Sequence, residues 1–494
     1  MTPAARTAAA LGAILLWRVD AAAHVNSPHI YLEEKIGPYA AIVVAHMPPA
    51  MPGEAEVQVR LSDRADDDPI EVWAREIPPA GDATAPEWRR MRSSEADPSY
   101  FTAPIPFTLF GLWHEEIRVK GSRGEGVMRF PMPARVPMPS TMAPALAATL
   151  TLLVGLLYVS QWQLLTDIGR DATLPPGARP SPADARRGRT CAITGTTLLT
   201  LFFALTGVSW TLYDARQQML GSPRYQAELS AEGGPVAAGR PATLRLVVRD
   251  RRGNPPQGLI PDHGKLMHLV ITKDPGAGFF LHAHPRLVDA GRFELTFMPP
   301  EAGTYRVFGD LLFDTGESTT ITARIDVTSG HALNTYAPKL DDEDDSWARQ
   351  APIGTVSMDA RSAEVGDGLS MRWVDAPSGS LSAETFHKLA FELVGPDGQP
   401  VASIEPYMGM AGHLLIVRDD MGVFVHAHPT GTIGGRMAML MRQESAGMGA
   451  MHQASYAPRV TFPYAFPYPG RYRMWAQVKY AGVIRTGVFD VDVR

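Results

Sequence analysis

Residues 261–285, PDHGKLMHLVITKDPGAGFFLHAHP, return at 406–429 as PYMGMAGHLLIVRDDMGVFVHAHP. Pro261, Gly264 and His268 correspond to Pro406, Gly409 and His413 at an offset of 145, and His282, Ala283, His284 and Pro285 correspond to His426, Ala427, His428 and Pro429 at 144. Working outward, Leu244, Leu246 and Val248 alternate before Gly253, as Leu389, Phe391 and Leu393 do before Gly398; Gly303, Tyr305 and Arg306 answer Gly470, Tyr472 and Arg473. Apolar alternation of period two ending in Gly, Asn or Pro reads as strand then turn, and a near-constant offset across several motifs marks an internal duplication. The region 24–138 has the same short-strand, turn-rich character. The expected fold is mainly β: three immunoglobulin-like antiparallel β-sandwiches at 24–138, 222–330 (repeat 1) and 351–494 (repeat 2). Residues 331–350, with Asp341, Asp342, Glu343, Asp344 and Asp345, read as a solvated acidic linker.

Strand geometry gives the histidines their meaning. Residues two apart share a face, so His282 and His284 project together, as do His426 and His428. His268 and His413 lie on the preceding strands, within reach through a hairpin. Three imidazoles with an open position form a zinc or copper arrangement rather than a closed structural site, and one such site is expected in each repeat. His263 in repeat 1 aligns with Met408 in repeat 2, where Met410 adds a second thioether. Repeat 2 also carries Met437, Met439, Met441, Met448, Met451 and His452. Thioether with imidazole selects copper, especially Cu(I), while the more imidazole-rich first site suits Cu(II) or zinc. Against this stands plain packing: histidines beside proline can cap strands, methionines fill cores, and the run Gly412 to Asp419 is apolar on both faces. His114, His331 and His387 stand alone as surface or structural residues.

The chain begins with Arg6, an apolar run from Thr7 to Trp17, and Ala21, Ala22 and Ala23, the order of a secretory signal covering 1–23. Cleavage there would expose His24 as a terminal chelator with His29 or His46. Two uncharged apolar stretches give transmembrane helices at 143–163 and 190–213, joined by a proline-broken, arginine-rich cytoplasmic loop at 164–189. With export of the N-terminus, both flanking parts face the extracytoplasmic side of the cell (inner) membrane, the periplasm. Cys191, the single cysteine, excludes an internal disulfide and a four-cysteine zinc site. A net charge of −6 offers no bulk positive charge for phosphates, which argues against a nucleic-acid partner.

The segments Met267 to Pro285 and Pro406 to Pro429 resemble the immunoglobulin-like, YtkA-like domains of exported bacterial proteins. The resemblance covers the last 270 residues or so and implies copper handling or oxidase assembly at a membrane, without an established reaction. Asp262, His263 and Lys265 stand where repeat 2 has Tyr407, Met408 and Met410, so equal metal affinity is not implied. The leading expectation is a membrane-anchored copper protein acting as carrier, sensor or assembly factor, with metal ion, membrane and an extracytoplasmic protein as partners. The alternatives are a metal-free interaction module and a histidine-ligated metalloenzyme. No paired acid and base surrounds either cluster, and Asp310 aligns with Gln477, so the enzyme reading has least support.

Overall fold

The computed structural model describes residues 24–25, 29–48, 53–62, 68–79, 87–94, 97–108, 111–134, 144–175, 177–221, 225–314, 316–330, 338–355, 361–374, 376–377, 379–431 and 455–494. The signal sequence, His331 and the methionine-rich segment with His452 lie outside the described residues, as does the side chain of His24. The chain divides into two units: one comprises residues up to 134 together with those from 223 on, and the other is 135–222.

The smaller unit holds two helices, α1 (Pro144–Asp171) and α2 (Pro182–Gly221). Within them Ala148–Asp171 and Pro182–Trp210 are long and apolar enough to cross a membrane, and large side chains such as Leu152, Leu205 and Trp210 are exposed. Both helices overrun the expected loop at 164–189. The prolines taken there as breakers include Pro182, which starts a helix at its first position, where its missing N–H is not needed. Ser181 caps it: its own N–H donates to Asp184 Oδ2 at 2.8 Å, and the Asp184 N–H donates back to Ser181 Oγ at 3.3 Å. The helices pack through small residues; a Cβ on Gly195 would lie 2.0 Å from Leu165, and one on Gly188 would lie 2.5 Å from the Thr166 carbonyl.

The larger unit is mainly antiparallel sheet. In its N-terminal region a five-stranded and a four-stranded sheet share one apolar core, with Ile36, Val57, Ile105, Ile117 and Phe130 buried in it. Repeat 1 sets the sheet of Tyr225–Ala231, Ala242–Asp250, Arg292–Phe297 and Arg286–Asp289 against a six-stranded sheet. The latter includes Gly303–Phe313, His268–Asp274 and Phe279–Ala283. Repeat 2 sets Ser362–Gly366, Leu369–Val374, His387–Val394 and Arg459–Tyr464 against Val423–Ala427, His413–Arg418, Gly470–Tyr480 and Val483–Val493. Both repeats pin their closing strand the same way: the Tyr305 hydroxyl donates to the Glu301 carbonyl at 2.9 Å, and the Tyr472 hydroxyl to that of Tyr468 at 2.8 Å.

Leu269, Ile271 and Leu281 face the core of repeat 1, as Leu414, Ile416 and Val425 face that of repeat 2. The alternate residues Val270, Phe280, Phe308, Leu415, Val417, Phe424 and Trp475 form another core, where the sheets of the two repeats meet. Phe308 stacks on Phe424 with ring centroids 4.3 Å apart, and Phe280 on Trp475 at 4.6 Å. Arg473, fully buried, pairs with Asp490 at 2.7 and 2.8 Å and donates to the Ala277 and Ala351 carbonyls. The hairpin strands are therefore apolar on both faces because both are covered.

The acidic run is only partly solvated: Asp341 and Glu343 are exposed, but the rest is not. Asp345 is buried, Asp342 pairs with Lys265 at 2.6 Å, and the chain continues into the strand Ser346–Arg349, which pairs antiparallel with Phe279–Ala283. Its partners lie far away in sequence, so a local charge count could not show them. The Trp475→Ala variant should lose about 3–5 kcal/mol of stability, as for other buried aromatics. Hydrogen exchange should then quicken in both Phe279–Ala283 and His413–Arg418, although only one belongs to the same repeat; faster exchange in repeat 2 alone would contradict the shared core.

Candidate metal centre

The face that builds the inter-repeat core also carries the histidines. His268 continues the row of Val270, and His282 and His284 continue that of Phe280; His413 continues the row of Leu415, and His426 and His428 that of Phe424. The hairpins pair Val270 with His282 and Leu415 with His426, so the preceding strand brings its histidine alongside each pair. All six are buried.

One expectation is corrected here. Repeat 2 brings its own His413, His426 and His428 together as expected, but in repeat 1 His268 and His282 are joined by His426 of the other repeat, because the histidine-bearing faces are apposed. His268 and His426 have ring centroids 5.0 Å apart and His282 and His426 5.4 Å, as close as neighbours within a repeat. Ligand atoms of His268, His282 and His426 lie within 4.8 Å of one another, as do those of His413, His426 and His428.

Hydrogen bonding on the outer side of each ring assigns the inner nitrogens. His268 Nε2 donates to the Asp262 carbonyl at 3.0 Å, leaving Nδ1 with a lone pair. His282 Nδ1 donates to Gln477 Oε1 at 2.9 Å, since the Gln477 amide donates to Ser346 Oγ and Thr486 Oγ1; its Nε2 is then a lone pair too. These two nitrogens are 3.4 Å apart. In repeat 2, His413 Nε2 donates to the Tyr407 carbonyl at 3.3 Å, and Asp310 Oδ2 lies 3.5 Å from His426 Nδ1, favouring the proton there. His413 Nδ1 and His426 Nε2 consequently face each other at 3.0 Å. Two imidazole nitrogens bound to one tetrahedral ion at about 2.0–2.1 Å stand about 3.3–3.4 Å apart, close to both separations. His284 Nδ1 donates to Asp345 Oδ1 at 2.9 Å, and its Nε2 is buried with no hydrogen-bond partner among the described residues. This carboxylate–histidine arrangement is that of a metal ligand's outer shell.

Burial is the main force on protonation. It pulls His268 down to about 4 and His282 to about 3, and holds His284, His413 and His426 well below the usual imidazole value, with neighbouring imidazoles adding to the effect. Burial also raises Asp310 and Asp345 to about 7. Neutral imidazole is the form that binds metal.

Met408 and Met410 sit half-buried in the turn 407–410, whose Tyr407 carbonyl receives His413. The corresponding turn, 262–265, carries His263. Each turn has two successive residues at positive φ, His263 (49°) with Gly264 (84°) and Met408 (51°) with Gly409 (81°), closed by reciprocal backbone bonds as in a type I′ hairpin. His263 lies nearer His428 (4.9 Å) and His413 (5.4 Å) than its own repeat's His268 (6.2 Å). Elsewhere, His29 and His46 are together, with centroids 5.0 Å apart, and the Met47 N–H donates to His29 Nδ1. His387 is bonded to the Ser382 carbonyl. Sequence reading missed Gln477, Asp345 and Tyr407, and weighed Asp310 only as a catalytic carboxylate; the mismatch of Asp310 with Gln477 was the one available signal.

A family model described as "Domain of unknown function (DUF8832)" matches residues 221–329 and 363–494, the two repeats. No curated protein matches. Among solved structures, the Escherichia coli adhesin FdeC aligns over 96% of this chain and 98% of its own, at 11% identity and a TM-score of 0.17. Salmonella alpha-2-macroglobulin aligns over 97% of this chain at 11% identity and a TM-score of 0.20, this chain spanning 24% of its length. The Yersinia pseudotuberculosis adhesin InvE aligns over 54% of this chain and 58% of its own, at 13% identity and a TM-score of 0.14. Likeness at this level carries no function across.

Metal-free protein should lose stability as pH falls from about 6.5 towards 4. The unfolded chain takes up protons on histidine across that range while the folded centre refuses them, so stability is present above the unfolded value and lost below it. Asp310, Asp345 and the buried Glu115, all raised, act in the opposite direction, but His29 joins the five lowered histidines of the centre. Each net proton contributes up to about 1.4 kcal/mol per pH unit. Thermal midpoints measured from pH 7 to 4.5 should fall, and the slope should flatten in the His268→Asn, His413→Asn double variant; an unchanged slope would count against buried neutral imidazoles.

Proposed function

We propose that this chain is a membrane-anchored, extracytoplasmic copper-binding protein that holds its metal between the two repeats, as a carrier, sensor or assembly factor. One observation carries the reading: each repeat holds a pair of buried imidazole nitrogens at a ligand-like separation with outer nitrogens already committed, and the ligand atoms of His268, His282 and His426 meet across the repeats within 4.8 Å. His268, His282 and His426 would hold the ion, with His413 beside them. Asp262, Gln477, Asp310 and Tyr407 fix the tautomers and ring orientations. Bound copper would supply a redox-active or transferable cation, and the chain's own residues supply desolvation and donor placement.

Copper rather than calcium or magnesium follows from all-nitrogen donors, and the methionine-rich stretch of repeat 2 favours it over zinc, the alternative ion. In the proposed architecture, three immunoglobulin-like sandwiches lie on the periplasmic side of the inner membrane, and α1 and α2 form the anchor. The YtkA-like resemblance supports the same address.

Titration of the full chain in detergent with Cu(I), Cu(II) and Zn(II), read by thermal melting, tests the proposal. A bound ion at 100 times its dissociation constant adds about 2.7 kcal/mol to the folded state. His268→Asn with His426→Asn should abolish that gain, and Asp310→Asn should weaken binding about 10–100-fold through His426. Melting indifferent to every ion would favour the metal-free interaction module.

A further inference from the structure

His263 belongs to repeat 1 but faces repeat 2. Its side chain is 1% exposed, and among the described residues its Nε2 has no hydrogen-bond partner, although Asp262 Oδ1 lies 3.4 Å away. It holds a left-handed backbone conformation, which is strained for a non-glycine residue. Ligand atoms of Asp262, His263 and His428 all lie within 4.8 Å of one another. This trio shares no residue with that of His268, His282 and His426, yet it adjoins it: His426 and His428 are two apart on one face, their rings 4.6 Å apart.

The duplication makes the arrangement one-sided. In the turn of repeat 2, Tyr407 and Met408 replace Asp262 and His263, removing both the carboxylate and the imidazole. We infer that the chain holds a second metal ion on Asp262, His263 and His428, next to the first on His268, His282 and His426. The inference rests on the metal-binding reading above. A carboxylate with two imidazoles is a harder donor set than imidazole alone, so the second position takes Cu(II) or Zn(II) in preference to Cu(I). Two Cu(II) ions in adjoining positions interact magnetically.

The test uses the full chain in detergent with Cu(II) alone as probe, measuring copper per chain and the integrated electron paramagnetic resonance signal. The parent should bind two ions and show less signal than its copper content. His263→Met places in this turn the residue that repeat 2 holds at the same φ; it should bind one ion, with the signal accounting for all of it. Asp262→Asn, which keeps the backbone carbonyl that His268 uses, should weaken the second ion at least tenfold. Equal thermal midpoints of the metal-free parent and variants show that the turn still folds. A parent that binds one ion, lost with His268 and His426 but not with His263, overturns the second position and leaves the metal reading standing. Two ions retained by both variants overturn it as well, and no ion in the parent overturns both readings.

Discussion

The structure depends on two sheets buried against each other. A sandwich normally leaves the outer face of each sheet to solvent, with polar residues alternating outward. Here the outer face of one sheet in each repeat is apolar, and the aromatic stacks of Phe308 on Phe424 and Phe280 on Trp475 hold the repeats face to face. Histidines at the end of that face are carried out of water by the same contact. Desolvation, rather than any single hydrogen bond, keeps the rings neutral with their lone pairs available.

The division between what was legible and what was not follows from this contact. Strand hairpins, the duplication and the shared face of His282 with His284 depend on period-two geometry, which local sequence carries. The apolar character of both faces between Gly412 and Asp419 was visible, but it admits two explanations, a core packed unusually deep or a second sheet on the outside. Only the tertiary arrangement distinguishes them. The joining of His426 to the histidines of repeat 1 was therefore hidden, while the residues themselves were in view. Pro182 was misread for a different reason: its effect depends on whether it falls inside a helix or at its first turn.

Duplication supplied symmetry that the outer hydrogen bonds break. His268 pairs with Asp310 in backbone register and His413 with Gln477, so the two acceptors occupy equivalent positions on their closing strands. Each serves a histidine of the opposite repeat: Gln477 receives His282, and Asp310 faces His426. Equivalent rings therefore have different acceptors, an amide in one repeat and a carboxyl group in the other, although their surroundings share one ancestor. Exchange across the interface also means that neither repeat alone completes the orientation of its own ligands.

The acidic run completes that interdependence. Lys265 of repeat 1 pairs with Asp342, and Lys479 of repeat 2 with Asp344, so residues two apart in one short segment engage both repeats. Exposed pairs of this kind contribute little individually, but these are partly buried and linked. The Asp342 N–H also donates to Asp345 Oδ2, and the other oxygen of Asp345 receives the His284 backbone and ring N–H groups. The segment thereby fixes which nitrogen of His284 carries its proton and leaves the other buried without a hydrogen-bond partner among the described residues. A stretch that reads as charge for solvent instead sets the orientation of an imidazole, because its counter-charges arrive from strands on either side of the interface.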